Sequence, residues 1–299
     1  MVDESWKALY PFQSRWFDRG DGIRMHYVDE GSGDPVVMVH GNPTWSFYYR
    51  DLAKALLAAG HRVIVPDHVG MGLSDKPGDD RYEYTLRKRM GDLEKLLNSL
   101  KLPPVTLIVH DWGGAIGLGW ALRDPARVKA LVITNTAGFL PGQDHRLPWQ
   151  LGIARGPVGA LVMRGLNWFS FGLTTLCSTK TLPPAVKAGY RAPYDSWEHR
   201  IAVHRFVQDI PREKGDKAWS VMEWLGAELH RLRGVPTLLA WGLKDFVFTP
   251  AFLAEFRRRL PEAEVREFPD ANHLLLDDAG PELIPLIRDF AAKHVPQGR

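Results

Sequence analysis

The stretch that decides the fold is VTLIVHDWGG, residues 105–114. Its first five residues are apolar or β-branched and predict a buried strand, which leads directly into His110-Asp111-Trp112-Gly113-Gly114. Small residues after the strand allow a helix to start at once, so the pattern is typical of a nucleophile elbow. In such an elbow the central side chain stands above the carboxyl end of the sheet. Here it is the carboxylate of Asp111, which can attack carbon and form an ester on the protein.

The composition limits the class of protein. The chain has 299 residues, 45% of them hydrophobic, which is enough to build a sizeable core. Its 38 basic and 35 acidic residues leave a formal charge of +3, too small to indicate a nucleic-acid or membrane-surface protein from charge alone. We therefore expect no nucleic-acid partner.

The single cysteine and the N-terminus indicate the compartment. Cys177 cannot form an intrachain disulfide, and a structural zinc site would lack thiolate partners. The N-terminal stretch MVDESWKALYPFQ has no apolar run long enough for a signal peptide or a membrane span. We expect a cytoplasmic protein without a membrane span, a metal or another cofactor.

Alternating strand and helix patterns predict the fold. A hairpin with strands at 15–19 and 23–30 comes first, around Gly20-Asp21-Gly22. Further strands are predicted at 36–39, 62–66, 105–109, 128–134, 237–242 and 264–268, and helices at 47–59, 85–100, 113–122, 250–260 and from Pro281 to about Lys293. Such alternation gives a mostly parallel sheet with helices on both faces, here the α/β-hydrolase fold.

The alternation stops between residues 138 and 228. This segment has no convincing strand pattern, and it is rich in proline and glycine. It carries the tryptophans Trp149, Trp168, Trp197, Trp219 and Trp224. We interpret it as an inserted helical cap that brings apolar surface over the site. The predicted domains are a core of residues 1–137 and 229–299 and a cap of residues 138–228.

Polar side chains follow several strands of the predicted sheet, where open α/β sheets bind ligands. The chain order Asp111, Asp245, His273 is the nucleophile, acid, histidine order of α/β-hydrolases. His273 would activate a water, and Asp245 would fix the tautomer of His273. The strand at 128–134 could also supply the acid, but it ends in Asn135-Thr136-Ala137 without a carboxylate. By itself, Asp245 could equally be a turn aspartate.

Two further residues could hold a leaving group. The backbone N–H of Trp112 and one from the Asn42 loop would form an oxyanion hole. The side chains of Asn42 and Trp112 add an amide and an indole donor, which suit an anionic leaving group. Taken singly, Trp112 could be a core aromatic and Asn42 a turn residue before Pro43. His40 and His110 lie beside the site, and we assign them structural roles.

At these residues the sequence resembles the haloalkane dehalogenase family. The similar loops are HGNPTW at 40–45, PDHVGMGLSDKP at 66–77 and HDWGG at 110–114, and the resemblance extends over most of the chain. The set Asp111, His273 and Asp245 with Asn42 and Trp112 resembles one subfamily. Other members of the family place the acid after the strand before the cap, or use a cap tryptophan in place of the asparagine.

That subfamily also contains the β-lactone decarboxylases of bacterial long-chain olefin biosynthesis. Similar stretches are LVITNT at 131–136, APYD at 192–195, RFVQDIP at 205–211 and AWGLKD at 240–245. The resemblance implies a small apolar substrate, a cis-3,4-dialkyl-oxetan-2-one, that is split into a long-chain cis-alkene and CO2. It also implies an assembly with other enzymes of olefin synthesis.

Three other functions stay open at this point. A haloalkane dehalogenase would hydrolyse carbon–halogen bonds through a covalent alkyl-aspartate ester. An epoxide hydrolase shares the HGxP loop, although Asn42 stands where such enzymes usually have an aromatic residue. A binding module without catalysis would not require Asp111, Asp245 and His273 together.

Overall fold

A computed structural model describes residues 3–142 and 155–294 of the chain. Residues 143–154, which belong to the predicted cap and include Trp149, lie outside the described residues. We keep the word cap for the predicted segment of residues 138–228.

One sheet of eight strands forms the centre of the described structure. The strands are β1 (Arg15–Asp18), β2 (Arg24–Glu30), β3 (Pro35–Val39), β4 (Arg62–Pro66), β5 (Val105–Asp111), β6 (Val128–Thr136), β7 (Thr237–Gly242) and β8 (Glu264–Phe268). Their order is β1-β2-β4-β3-β5-β6-β7-β8. Strands β1 and β2 pair antiparallel, β2 joins β4 antiparallel, and the remaining pairs are parallel. The predicted mostly parallel α/β sheet is confirmed.

The predicted hairpin forms the edge of this sheet. Gly20 and Gly22, between β1 and β2, have φ angles of 87° and 73°. Residues with a Cβ atom rarely adopt such angles, so the two glycines allow the tight connection.

Helices follow most of the strands. They are α1 (Arg50–Ala58), α2 (Leu86–Ser99), α3 (Trp112–Arg123), α9 (Pro250–Arg259) and α10 (Leu275–Lys293). Every residue of β3, β5 and β7 is buried, as expected for parallel strands that are covered on both faces. Helix α1 packs against α10, and α2 packs against α3.

The predicted start of the last helix is wrong. Helix α10 begins at Leu275, and both Pro281 and Pro285 lie inside it. Each proline removes one backbone hydrogen bond. The buried face nevertheless continues through both of them, with Leu275, Ala279, Leu283 and Ile287 spaced four residues apart. Packing of this face outweighs the local preference to end a helix at proline.

The described part of the cap is helical. Its elements are α4 (Pro157–Ala160), a π-helical turn (Leu161–Gly165), α5 (Trp168–Leu176), α6 (Pro184–Arg191), α7 (Ile201–Gln208) and α8 (Trp219–Glu228). Within residues 138–142 and 155–228 the structure has no strand. The division of the chain into core and cap stays a prediction.

Candidate active site

The elbow turns sharply at Asp111. Strand β5 ends at this residue and α3 begins at Trp112, and Asp111 itself has a φ angle of 51°. A Cβ atom on Gly41 would collide with the Asp111 carboxylate, and one on Gly113 would collide with the carbonyl of Val39. The two glycines therefore leave room for the carboxylate and for the close approach of α3 to β3.

Backbone N–H groups hold the Asp111 carboxylate. The N–H of Asn42 donates to Oδ1 at 2.6 Å, and the N–H of Trp112 also donates to this carboxylate. Burial raises the pKa of Asp111, although His273 and the two N–H groups partly oppose the increase. The other oxygen, Oδ2, lies 3.7 Å from Nε2 of His273. One oxygen is thus fixed by the backbone, while the other faces the histidine.

His273 connects Asp111 to a second carboxylate. Its Nδ1 donates to Oδ2 of Asp245 at 2.8 Å, and the ring of Phe248 stacks on the imidazole at 5.8 Å. Burial alone would lower the pKa of His273, but Asp245 and then Asp111 outweigh it, so the pKa is raised. The structure therefore brings together the three residues that the sequence analysis selected.

Asn135 holds Asp245, a contact that the sequence analysis missed. Its Nδ2 donates to Oδ2 of Asp245 and to the carbonyl of Gly242, both at 3.0 Å. Its Oδ1 accepts from the N–H of Gly242 at 2.8 Å. The backbone N–H groups of Val247 and Phe248 donate to the other oxygen of Asp245. The sequence signal for Asn135 is its position at the end of β6, beside β7, although its side chain is an amide and not a carboxylate.

Asn42 and Trp112 both contact helix α7 of the cap. Nδ2 of Asn42 donates to the carbonyl of Val203 at 3.1 Å, and the Trp112 ring lies 5.3 Å from the ring of Phe206. An amide has two N–H donors, so one of them remains for a ligand. Among the described residues, Oδ1 of Asn42 is buried without a hydrogen-bond partner.

A cavity of about 500 Å³ lies above the Asp111 carboxylate. Asp111, Asn42, Trp112 and His273 all line it. The rest of its wall is mostly apolar and comes from core and cap, including Phe139, Phe169, Leu173, Ile210, Met222 and Phe252. A cavity of this size and character suits a small apolar molecule with one reactive polar group.

The other histidines and the cysteine near the site have different roles. Nε2 of His110 donates to the carbonyl of His273 at 2.9 Å, and Nδ1 of His40 donates to the carbonyl of Gly41 at 2.8 Å. Both side chains hold the backbone beside the site, as the sequence analysis expects. Burial raises the pKa of the Cys177 thiol, so this cavity residue lacks the thiolate character of a nucleophile.

Two kinds of feature are absent from the described residues. Across 3–142 and 155–294, no group of three or more histidine, cysteine or acidic side chains is placed to hold a metal ion. In the same part of the chain, no helix combines the length and hydrophobicity needed to cross a membrane.

Comparison with known proteins identifies the class of protein. Residues 34–280 match the model for the alpha/beta hydrolase fold, and the chain belongs to this family. The structure has a TM-score of 0.84 with the haloalkane dehalogenase DatA from Agrobacterium tumefaciens, at 26% identity, covering 96% of this chain and 99% of that one.

The relatives of this chain in sequence include two kinds of enzyme. Two proteins named cis-3-alkyl-4-alkyloxetan-2-one decarboxylase are each 47% identical over 95% of this chain. One, from Shewanella oneidensis, is covered over 89% of its length, and the other, from Xanthomonas campestris, over 98%. Haloalkane dehalogenase 2 of Mycobacterium tuberculosis is 34% identical, over 91% of this chain and 92% of that protein. The resemblance to both groups of enzymes is confirmed.

Proposed function

We propose that this protein is a cis-3-alkyl-4-alkyloxetan-2-one decarboxylase, which converts a dialkyl β-lactone into a cis-alkene and CO2. The observation that carries the proposal is the identity of 47%, over nearly the whole chain, to two proteins of that name. The site supports it, since a buried carboxylate meets an apolar cavity beside two N–H donors.

Ring opening is the first step. Oδ2 of Asp111 attacks the saturated ring carbon C4 from the side opposite the ring oxygen, and a C4–O ester bond forms. The bond from C4 to the ring oxygen breaks, and its electron pair stays on the released carboxylate. The free amide N–H of Asn42 and the indole N–H of Trp112 receive this charge. Attack at the carbonyl carbon would instead release an alkoxide, a much poorer leaving group than a carboxylate.

Loss of CO2 is the second step. The bond between C3 and the carboxylate carbon breaks, and its electron pair forms the C3=C4 double bond. Asp111 then leaves C4 with the ester electron pair, so the free carboxylate is restored without water. Backside attack places the Asp111 oxygen anti to the carboxylate without further rotation. Anti elimination from this geometry converts a cis-lactone into a cis-alkene, as the proposed reaction requires.

In this scheme His273 supplies a positive charge next to the Asp111 carboxylate, and Asp245 holds the His273 ring. The raised pKa of His273 favours an imidazolium that faces Oδ2 of Asp111 at 3.7 Å. A cation there stabilises the carboxylate that leaves in the second step. Asp245 holds the ring in place through the 2.8 Å hydrogen bond to Nδ1.

A product assay tests the proposal. Purified protein is incubated with a synthetic cis-3,4-dialkyl-oxetan-2-one, and the alkene is measured by gas chromatography. We expect cis-alkene from the wild type and none above background from Asp111→Asn. Absence of alkene, together with halide release from 1,2-dibromoethane, would support the alternative function.

That alternative is a haloalkane dehalogenase. The 34% identity to haloalkane dehalogenase 2 supports this alternative. This support is weaker than that of the 47% identity to the two decarboxylases for the first proposal. The same side chains would serve it: Asp111 would displace the halide, Asn42 and Trp112 would bind the halide, and His273 would activate the water that cleaves the ester.

Partners and location are also proposals. We infer that the protein works in the cytoplasm, in an assembly with other enzymes of olefin synthesis. The resemblance to the olefin-pathway decarboxylases supports the assembly, and the single cysteine is consistent with a reducing compartment. Copurification with the products of neighbouring genes tests the assembly.

A further inference from the structure

Helix α5 of the cap exposes three large apolar side chains and buries two polar ones, although Leu173 is also buried. Trp168, Phe171 and Leu176 are 52%, 45% and 59% exposed, whereas Ser170 and Thr174 are buried. A surface helix normally turns its apolar face to the core and its polar face to water. The outer face of α5 carries these three large apolar side chains and is therefore not adapted to water alone.

Further exposed apolar side chains lie in the preceding turns, and the π-helical turn packs against α5. We define the apolar patch as Val158, Leu161, Leu166, Trp168, Phe171, Leu176 and Trp197, which are all exposed. Leu161 and Trp197 lie close to each other, since a Cβ atom on Gly165 would contact both side chains. Exposed apolar surface of this extent usually marks a binding surface.

The chain around the patch is basic. Residues 155–200, which include the whole patch, contain two acidic residues, Asp195 and Glu198, and six basic ones, which are Arg155, Arg164, Lys180, Lys187, Arg191 and Arg200. The guanidinium of Arg164 lies 4.4 Å from the Trp197 ring, and that of Arg191 lies 3.8 Å from the Phe171 ring. Arg155 forms a salt bridge with Asp216, whereas within the described ranges Arg164, Lys187 and Arg191 form none. The net charge of the whole chain, +3, conceals this local excess.

The apolar patch meets the active-site cavity. Trp168 and Leu176 are more than half exposed, and both also line the cavity above Asp111. A molecule held at the patch therefore lies next to an apolar path toward the Asp111 carboxylate.

We propose that the apolar patch docks the enzyme on an anionic lipid bilayer. Tryptophan, phenylalanine and leucine on one face, with nearby lysine and arginine, are the composition of helices that lie in a membrane interface. Basic side chains add attraction to anionic headgroups. A lactone with two alkyl chains partitions into a bilayer, so docking would turn the cavity toward the phase that holds the substrate. This last step rests on the proposed function, whereas the docking itself does not.

Vesicle cosedimentation without substrate tests the docking. The wild type is expected to bind vesicles of equal phosphatidylcholine and phosphatidylglycerol more than vesicles of phosphatidylcholine alone, and added salt should reduce the difference. Leu161→Ser combined with Leu166→Ser should lower binding about tenfold, because both side chains are more than 60% exposed in the patch. Arg164→Gln with Lys187→Gln should weaken binding to the anionic vesicles only.

A matched control tests whether vesicle binding depends on the patch or on any exposed apolar side chain. Trp16→Ser with Val265→Ser removes two exposed apolar side chains from β1 and β8, outside the cap, and should bind vesicles as the wild type does. Circular dichroism checks that each variant is folded. Equal vesicle binding by the patch variant and the wild type would overturn the proposal. Absence of vesicle binding by the wild type would also overturn it. A dimer in sedimentation that the patch variant dissociates would assign the surface to a second copy instead. Since no substrate is present, these results do not depend on whether the lactone is turned over.

Discussion

Replacing Asn42 with alanine should separate activity from stability. The backbone N–H that holds Oδ1 of Asp111 survives this change, so the nucleophile keeps its position. The side-chain amide is lost, and with it one of the two side-chain donors that would receive the departing carboxylate. Removal of one such donor typically costs about 10²–10³-fold in kcat, equivalent to roughly 3–4 kcal/mol of transition-state stabilisation.

The expected effect of Asn42→Ala on stability is much smaller and has two opposing parts. Loss of the 3.1 Å hydrogen bond from Nδ2 to the Val203 carbonyl costs about 0.5–1.5 kcal/mol. The same change removes Oδ1, which is buried without a partner among the described residues, and this relieves about 1–3 kcal/mol. The net change in unfolding free energy is therefore close to zero or stabilising.

Two measurements check this prediction. Alkene production from the cis-lactone gives kcat and KM, and a thermal melt gives Tm, for which 1 kcal/mol corresponds to about 2–4 °C in a chain of this size or somewhat smaller. We expect a large loss in kcat with Tm unchanged or raised by a few degrees. Asn42→Asp is a control of the same shape, and it should lose more activity because its carboxylate repels the departing charge. If kcat of the alanine variant stayed within threefold of wild type, Asn42 would not hold the leaving group.

Two further predictions concern buried carboxylates. Asp245→Asn should lower the pKa of His273, and adding Asn135→Asp should restore part of the loss, because Nδ2 of Asn135 lies 3.0 Å from the Asp245 oxygen that holds the ring. Histidine NMR titration measures the pKa of His273 in both variants. An equally low pKa in the double variant would contradict the geometry. Asp67 is buried, yet hydrogen bonding to His26 and nearby charges lower its pKa from 3.8 to about 2. A lowered pKa stabilises the fold above pH 3.8, and the contribution is lost as the pH falls toward 2, so it amounts to about 2 kcal/mol at neutral pH. Acid unfolding of Asp67→Asn should therefore begin from a lower stability and depend less on pH between about 4 and 2, and an unchanged pH profile would contradict this.

The central geometry could be predicted from the sequence because it depends on strand ends. Asp111, Asp245 and His273 each follow a strand, and the carboxyl ends of parallel strands meet at one edge of the sheet. A strand pattern and a chain order were therefore enough to select the three residues that lie together. The order of the strands in space was not needed.

Contacts between side chains and distant elements could not be predicted in this way. The bond from Asn135 to Asp245 depends on side-chain geometry that no periodicity reports, as does the bond from Asn42 to the Val203 carbonyl. The predicted start of helix α10 was wrong because packing of its buried face outweighed the local effect of Pro281. The exposed apolar side chains of α5 could not be predicted, since the sequence shows where apolar residues recur but not which side of the helix meets the core.

The most direct measurement of the central claim follows the oxygens of the Asp111 carboxylate. The protein turns over the cis-lactone in water enriched in ¹⁸O, and the peptide that contains Asp111 is then analysed by mass spectrometry. If the ester collapses by loss of CO2, no water attacks it, and the peptide should keep its natural mass after many turnovers. A hydrolysed ester would place ¹⁸O in the carboxylate, so labelled Asp111 together with a hydroxy-acid product would contradict the account.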